Sequence, residues 1–198
     1  MTIHFDDSRT RANLMRAFAG ESQARNRYTF AAALADKNQL RVAADVFRLT
    51  AAQEKEHAEI FYDLLAASAG QTIHIDGGYP VNLSMDLTVL LDTAVHNETE
   101  EAEDVYPAFS AVAREEGFQR AADVFAAIAR IEKTHAERFG RYAALLKDDG
   151  LFSASMDTRW LCLNCGHIHT GAQPPAMCPV CRHDQGHFIR ADWTDLSC

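Results

Sequence analysis

Two segments of the chain pair a carboxylate with an imidazole at the same spacing, Glu54-x-x-His57 and Glu132-x-x-His135. On a helix, positions i and i+3 lie on one face, so a carboxylate oxygen and an imidazole nitrogen can share one metal ion. Glu21 and the pair Glu98 and Glu101 interrupt two further apolar stripes and supply the partner carboxylates. Oxygen-rich donors with one imidazole per ion suit iron or manganese better than structural zinc, which prefers thiolate and a closed tetrahedron. Five ionised carboxylates in a protein core would each cost several kcal/mol, on the order set by burying an unpaired charge. Two divalent cations set +4 against that −5 and reverse the argument. The set has one carboxylate more than two ions need, which points to a coordination sphere that changes with oxidation state.

A second constellation lies near the end of the chain. Cys162-x-x-Cys165-Gly166 and Cys178-Pro-x-Cys181 are two knuckles separated by twelve residues. Each directs two thiolates at one ion, and together they complete a tetrahedral sulfur site. The spacing alone admits zinc or iron. Beside a redox-active pair of metals, a one-electron iron–tetrathiolate relay is the better reading. All five cysteines follow residue 160, which argues against a disulfide framework and leaves Cys198 as an unpaired terminal thiol. His167, His169, His183 and His187 read as solvated turn residues, because four thiolates already satisfy one ion. Trp160 either shields the site or packs a small core around it.

Long helices must position the first set. Periodicity predicts helices over 8–37, 40–67, 85–116 and 118–147, with a kink at Pro107 inside the third. Each is about 40 Å long at 1.5 Å per residue, too long for a compact globule and right for an antiparallel four-helix bundle. The inward stripes read Leu14, Ala17, Glu21, Ala24, Tyr28; Phe47, Thr50, Glu54, His57, Phe61; Leu91, Ala94, Glu98, Glu101, Val105, Phe109, Val112; and Phe125, Ile128, Glu132, His135, Phe139, Tyr142. Residues 70–84, with three glycines and a proline, form an irregular connection between the two helical hairpins. The hairpins are related: AADVF at 43–47 returns at 121–125, and EKEHAEIF at 54–61 returns as EKTHAERF at 132–139. The first and third helices lack such clear identity, though Glu21 and Glu98 occupy similar places, 33 and 34 residues ahead of the repeated glutamates. After residue 151 the helical period stops, so the expected division is a bundle over 1–150 and a small metal-binding domain of short strands and knuckles over 155–198.

Composition narrows the function. The 198 residues are 47 % apolar and 24 % charged, the balance of a soluble globular protein. A net charge of −9 is the wrong sign for general binding to nucleic acid or anionic membrane. The segment from Asp157 onward holds three basic and four acidic residues, so a nucleic-acid-gripping zinc ribbon is disfavoured. No apolar run reaches the ~20 residues of a membrane helix, and the N-terminus has no signal pattern, so a cytoplasmic location is expected.

With these residues in view, the chain resembles a rubrerythrin. The resemblance rests on AGESQARNRYTF in the first helix, the two E-x-x-H motifs, E-x-x-E followed by VYPAF in the third helix, AREEGF before the fourth, and the rubredoxin-like end. It implies a ferritin-like all-α di-iron bundle joined to a C-terminal rubredoxin-like domain. It also implies a peroxidase that reduces hydrogen peroxide to water in oxidative-stress protection. Electrons would come from a separate NAD(P)H-linked reductase or a rubredoxin and pass from an Fe(Cys)4 centre to the two non-haem irons. The ligands carried over are Glu21, Glu54, His57, Glu98, Glu101, Glu132 and His135 for the irons, and Cys162, Cys165, Cys178 and Cys181 for the third metal, iron or a substituting zinc. Glu54 and Glu132 would bridge, and one iron would exchange Glu101 for His57 on reduction. Tyr28 and Tyr106 are candidates to hydrogen-bond a ligand carboxylate or relay a proton. A homodimer or larger homo-oligomer is implied. The chain departs from the resemblance at His167, where an aromatic residue is usual. A ferroxidase or iron-handling bundle is the alternative, one that leaves the thiolate relay without a use.

Overall fold

The computed structural model describes residues 3–194; Cys198 lies outside them. Four helical rods form the bundle. Helix α1 is Arg9–Lys37, with Ser8 as its cap: the Arg11 backbone N–H donates to Ser8 Oγ at 3.0 Å. Helix α2 is Arg41–Asp63, ending short of the expected 67 in a single 3-10 turn at Ala66–Ser68. The third rod is two helices, α3 Leu87–Glu100 and α4 Tyr106–Glu115, joined by a π turn at Glu101–Val105. Helix α5 is Gln119–Lys147, entered through Gly117, whose φ of +86° only glycine adopts freely. Glu116 locks the bundle's end, accepting the Thr10 N–H at 2.8 Å and the Thr10 hydroxyl at 2.6 Å.

The π turn corrects two expectations. The helix is interrupted at Glu101–Val105, ahead of Pro107, which sits in the first turn of α4 where its missing N–H costs nothing. A π turn inserts one residue into the helical repeat and rotates everything after it by about 100°. The buried positions of α4 are therefore Tyr106, Ser110 and Ala113, while Val105, Phe109 and Val112 are only half-buried. The same insertion explains the slipped repeat. One offset relates Glu54 to Glu132 and His57 to His135; Glu98 falls one position short of it when counted from Glu21, whereas Tyr106 meets it when counted from Tyr28.

Two aromatic clusters repeat the pseudo-symmetry on either side of the bundle's midpoint. In one, Tyr28 lies 6.0 Å from Phe47 and 5.0 Å from Phe139, with Phe47 and Phe139 5.2 Å apart. In the other, Tyr106 lies 6.0 Å from Phe125 and 5.5 Å from Phe61, with Phe61 and Phe125 5.1 Å apart. These clusters belong to two separate apolar cores, and the polar section of the bundle lies between them.

The C-terminal unit is a three-stranded antiparallel sheet of β1 Arg159–Cys162, β2 Ile168–Thr170 and β3 Phe188–Arg190, in the order β2-β1-β3. Trp160 is fully buried with Cys162, Cys178 and Phe188, and its indole N–H donates to the Gly171 carbonyl at 2.8 Å. It forms the centre of the mini-core. The unit leans on the bundle through Trp193, which stacks between Arg141 of α5 at 4.3 Å and Arg190 at 4.6 Å. Gly186 approaches the Gln39 carbonyl so closely that no side chain fits there.

The two knuckles share one hydrogen-bond pattern. Cys162 N–H donates to His167 O and Gly166 N–H to Cys162 O; Cys178 N–H donates to His183 O and Arg182 N–H to Cys178 O. Both need a left-handed residue right after the second cysteine, Gly166 at φ +77° and Arg182 at φ +66°. An L side chain there costs about 1 kcal/mol or a little more. Arg182→Gly should therefore stabilise the C-terminal unit by about 1 kcal/mol. Both tryptophans of the chain lie in this unit, so the midpoint of denaturant unfolding by tryptophan fluorescence reads the effect directly.

Candidate metal centres

Midway along the bundle, two groups of four donors overlap. Glu21, Glu54, His57 and Glu132 have ligand atoms within 4.8 Å of one another, and so do Glu54, Glu98, Glu132 and His135. Each helical rod supplies what its inward stripe predicts: Glu21 from α1, Glu54 and His57 from α2, Glu98 from α3, Glu132 and His135 from α5. Glu54 and Glu132 belong to both groups. The four glutamates and His135 are at most 1 % exposed, and His57 is 5 % exposed, so water does not solvate them.

These atoms aim at common points rather than at one another. His57 Nδ1 is 3.0 Å from oxygens of both Glu54 and Glu132, and His135 Nδ1 is 2.8 Å from Glu132 and 3.1 Å from Glu54. Yet Glu21 Oε2, His57 Nδ1 and both oxygens of Glu54 and Glu132 are buried with no partner at hydrogen-bond geometry. Such atoms cost about 1–3 kcal/mol each when left unsatisfied, more when charged. A pair of cations, each taking oxygen and one imidazole nitrogen, satisfies all of them. The donor set fits two ions of the iron or manganese type.

Tyr28 and Tyr106 cross the pseudo-symmetry axis. The Tyr28 hydroxyl donates to Glu98 Oε1, and the Tyr106 hydroxyl donates to Glu21 Oε1. Each terminal carboxylate thus has one oxygen held by a phenol and the other left for an ion; Glu98 Oε2 lies 3.3 Å from His135 Nδ1. Both phenols are held well above their ordinary pKa, by burial first and by Glu98 and Glu21 respectively, so they stay donors.

Glu101 stands outside both groups. It starts the π turn, is half-buried, and lines a cavity beside the site. Burial pushes the Glu101 carboxyl well up, reinforced by Glu98, Glu132 and Glu54 and opposed by Arg27. Sequence reasoning missed Arg27 and the residues that hold it. Its guanidinium donates to Asn82 Oδ1 at 2.7 Å, which also accepts from Asn97 Nδ2 at 2.9 Å. No motif marks that triad; the glycines and proline of the connection were the only signal nearby.

The four cysteines converge as the spacing predicts. Cys162 and Cys181 sulfurs are 3.7 Å apart, as are those of Cys165 and Cys178, and all four lie within 4.8 Å. A tetrahedron with metal–sulfur bonds of about 2.3 Å has edges of about 3.8 Å. Among the described residues no histidine joins this group. His187 instead pairs with Asp184 at 3.1 Å, and its ring packs against that of His183.

Known proteins share both centres' sequence context. The rubrerythrin family profile matches residues 12–143, and the profile of its rubredoxin-like domain matches residues 160–189. The chain belongs to the rubrerythrin family. It is 39 % identical to the rubrerythrin of Nitratidesulfovibrio vulgaris over 91 % of this chain and 93 % of that one. It is 41 % identical to the rubrerythrin of Porphyromonas gingivalis over 91 % and 89 %. Among solved structures, nigerythrin in its fully reduced, all-ferrous state superposes with a TM-score of 0.62 at 31 % identity, covering 93 % of this chain and 90 % of that one. The ferritin-like bundle with a rubredoxin-like unit is thus the fold of this chain as well as of its family. No helix among the described residues is long and apolar enough to cross a membrane.

The protonation of the metal-free cluster makes metal binding pH-dependent. Burial opposes the imidazolium of His57 and of His135, but Glu132 and Glu54 outweigh it and carry them to about 9 and about 11. Burial and Glu54 raise Glu98 to about 8, whereas burial of Glu132 is overcome by His135 and His57, which lower it to about 2. Below pH 8 the metal-free site therefore holds protons on Glu98, His57 and His135, and an ion must displace them. Apparent affinity for manganese(II) should fall as pH drops from 9 to 6, and loading in weak buffer at pH 7 should acidify the solution. A pH electrode reads the release, and loading without it would remove these residues as ligands. Tyr28→Phe and Tyr106→Phe should each weaken manganese binding about 10-fold or more in chelator competition, because each orients one carboxylate.

Proposed function

We propose that the chain is a non-haem di-iron peroxidase that reduces hydrogen peroxide to water, with the four-cysteine iron centre as the electron entry. The proposal includes the two working units, 1–150 and 155–198, and a role in oxidative-stress defence. One observation carries it: two overlapping oxygen-rich donor groups share two carboxylates in a chain that also holds a tetrathiolate site. The reaction balances as one hydrogen peroxide, two electrons and two protons giving two waters. Iron held by these donors would supply two reducing equivalents and Lewis acidity toward the peroxide oxygens.

The protein's part is orientation and charge. Glu54 and Glu132, which belong to both donor groups, would help hold both ions. Glu21 and His57 complete one position, Glu98 and His135 the other. Tyr28 and Tyr106 hold the terminal carboxylates and lie close enough to exchange protons with them. Glu101 would be the further carboxylate able to hold an ion in place of His57; among the donor groups described above His57 is present and Glu101 is not. Electrons would reach the cysteine-bound iron from a separate NAD(P)H-linked reductase or a rubredoxin, and the working form would be a homodimer or larger homo-oligomer. A ferroxidase would use the same bundle but leave the tetrathiolate site with no role.

The decisive test mixes anaerobically reduced protein with peroxide and with dissolved oxygen in a stopped-flow, following the ferric–thiolate absorption. Colour should return much faster with peroxide. Faster return with oxygen would favour the ferroxidase, and no colour from iron-replete protein would mean a zinc-filled tail and no relay. Glu101→Ala should retain both metals and lose about 100-fold in peroxide turnover, the scale of a lost ligand-shell contact. Full turnover in that variant would end the exchange reading.

A further inference from the structure

The connection between α2 and α3, residues 70–86, has no regular secondary structure but is pinned to the bundle at three points. The Arg16 guanidinium donates to the Asp76 carboxylate at 2.5 Å and to the Asp76 carbonyl at 2.9 Å. The Tyr79 hydroxyl donates to the Arg16 carbonyl at 3.0 Å. Asn82 is tied to Arg27 of α1 and Asn97 of α3. Between the pins at Asp76 and Asn82, residues 77–80 roof a cavity of about 290 Å³.

The floor of that cavity is part of the metal site. Glu101 and Tyr106 line it, with Gly20 next to the ligand Glu21. Glu101 is half-buried, whereas Glu21, Glu54, Glu98 and Glu132 are sealed. At about 30 Å³ per water, the cavity has room for about ten waters, ample for a peroxide molecule. Arg16, Gln23 and Asn97 also line it, so its wall is not wholly apolar.

We propose that this cavity is the route by which small hydrophilic solutes, hydrogen peroxide among them, reach the paired site. Tyr79 and Gly78 form its roof, and Glu101 is the inner gatepost. The substrate assignment rests on the peroxidase reading; the route does not. Tyr79 packs against two glycines, and at Gly77 the fit is too tight for a side chain without a shift. A Cβ at Gly20 would lie 3.7 Å from the Tyr79 ring, and one at Gly77 would lie 3.1 Å from its hydroxyl oxygen. Gly78 is different: a Cβ there meets nothing within 4 Å, and its φ is not in the left-handed region. A large side chain at 78, on a residue that itself lines the cavity, therefore has open space to occupy without displacing a neighbour.

The test uses the iron-loaded full chain, with azide as an inert probe of access and peroxide as the reactant. Gly78→Phe should slow azide binding to the ferric site at least 10-fold, read by absorption in a stopped-flow. Its iron content and thermal midpoint should match the parent. The rate of oxidation by peroxide should fall by a similar factor. Tyr79→Ala should speed azide binding about threefold or more and raise the rate with tert-butyl hydroperoxide relative to hydrogen peroxide. Azide rates within twofold of the parent in both variants would overturn the route; if Gly78→Phe does not fold, an unchanged azide rate in Tyr79→Ala does so. Slowed azide binding in a protein whose parent is inert to peroxide would uphold the route and refute the peroxidase reading instead.

Discussion

Four glutamates and two histidines share a nearly sealed section of this bundle, and everything else in the structure answers to their charge. Without cations the section can exist only by holding protons, which is why burial drives Glu21 and Glu98 up while the two imidazoles hold Glu132 down. With two cations the same donors become a satisfied shell. The apolar clusters above and below exclude water and deny the carboxylates any other source of neutralisation. The two tyrosines occupy one oxygen of each terminal carboxylate and so decide which oxygen remains for an ion.

The pseudo-two-fold arrangement explains why the site has two like halves, and its one defect explains why they differ. Tyr28 and Tyr106, Phe47 and Phe125, Phe61 and Phe139 are equivalent pairs, each related by the offset that takes Glu54 to Glu132. The π turn after Glu100 adds a residue to one half only. There the chain carries an extra carboxylate, Glu101, with no counterpart on α1, where the same offset leads back to Gln23. The asymmetric half is also the half that opens to the cavity under the α2–α3 connection. An inserted residue thus creates a ligand-capable group that faces solvent, which a regular helix pair of this repeat lacks.

The C-terminal unit follows a different rule. It is too small to fold on its apolar core alone, and four thiolates around one point supply the missing constraint. Its two knuckles repeat one backbone pattern, and the second tolerates an arginine in a left-handed position because the flanking hydrogen bonds and the metal-directed cysteines over-determine the turn. Trp193 between two guanidiniums then ties the unit to α5, so the tetrathiolate site has a defined seat on the bundle.

Residue type and spacing by themselves determined the four-helix bundle, the E-x-x-H pairs facing inward, the partner carboxylates Glu21 and Glu98, and the four-cysteine cluster. Each of these is a local periodicity or a knuckle, and such patterns survive without knowledge of the rest of the chain. Even the one-position slip between Glu21 and Glu98 was visible, though its cause was not. Only the tertiary structure decided that the slip is a π turn, which advances the buried face of α4 to Tyr106, Ser110 and Ala113. It alone left Glu101 outside the donor groups, crossed the tyrosines onto opposite carboxylates, and laid Tyr79 over Gly20. These depend on helix phase after an irregular turn and on contacts between segments far apart in the chain. A linear pattern carries neither, because phase is conserved only along an unbroken helix and distant partners leave no mark on each other's spacing.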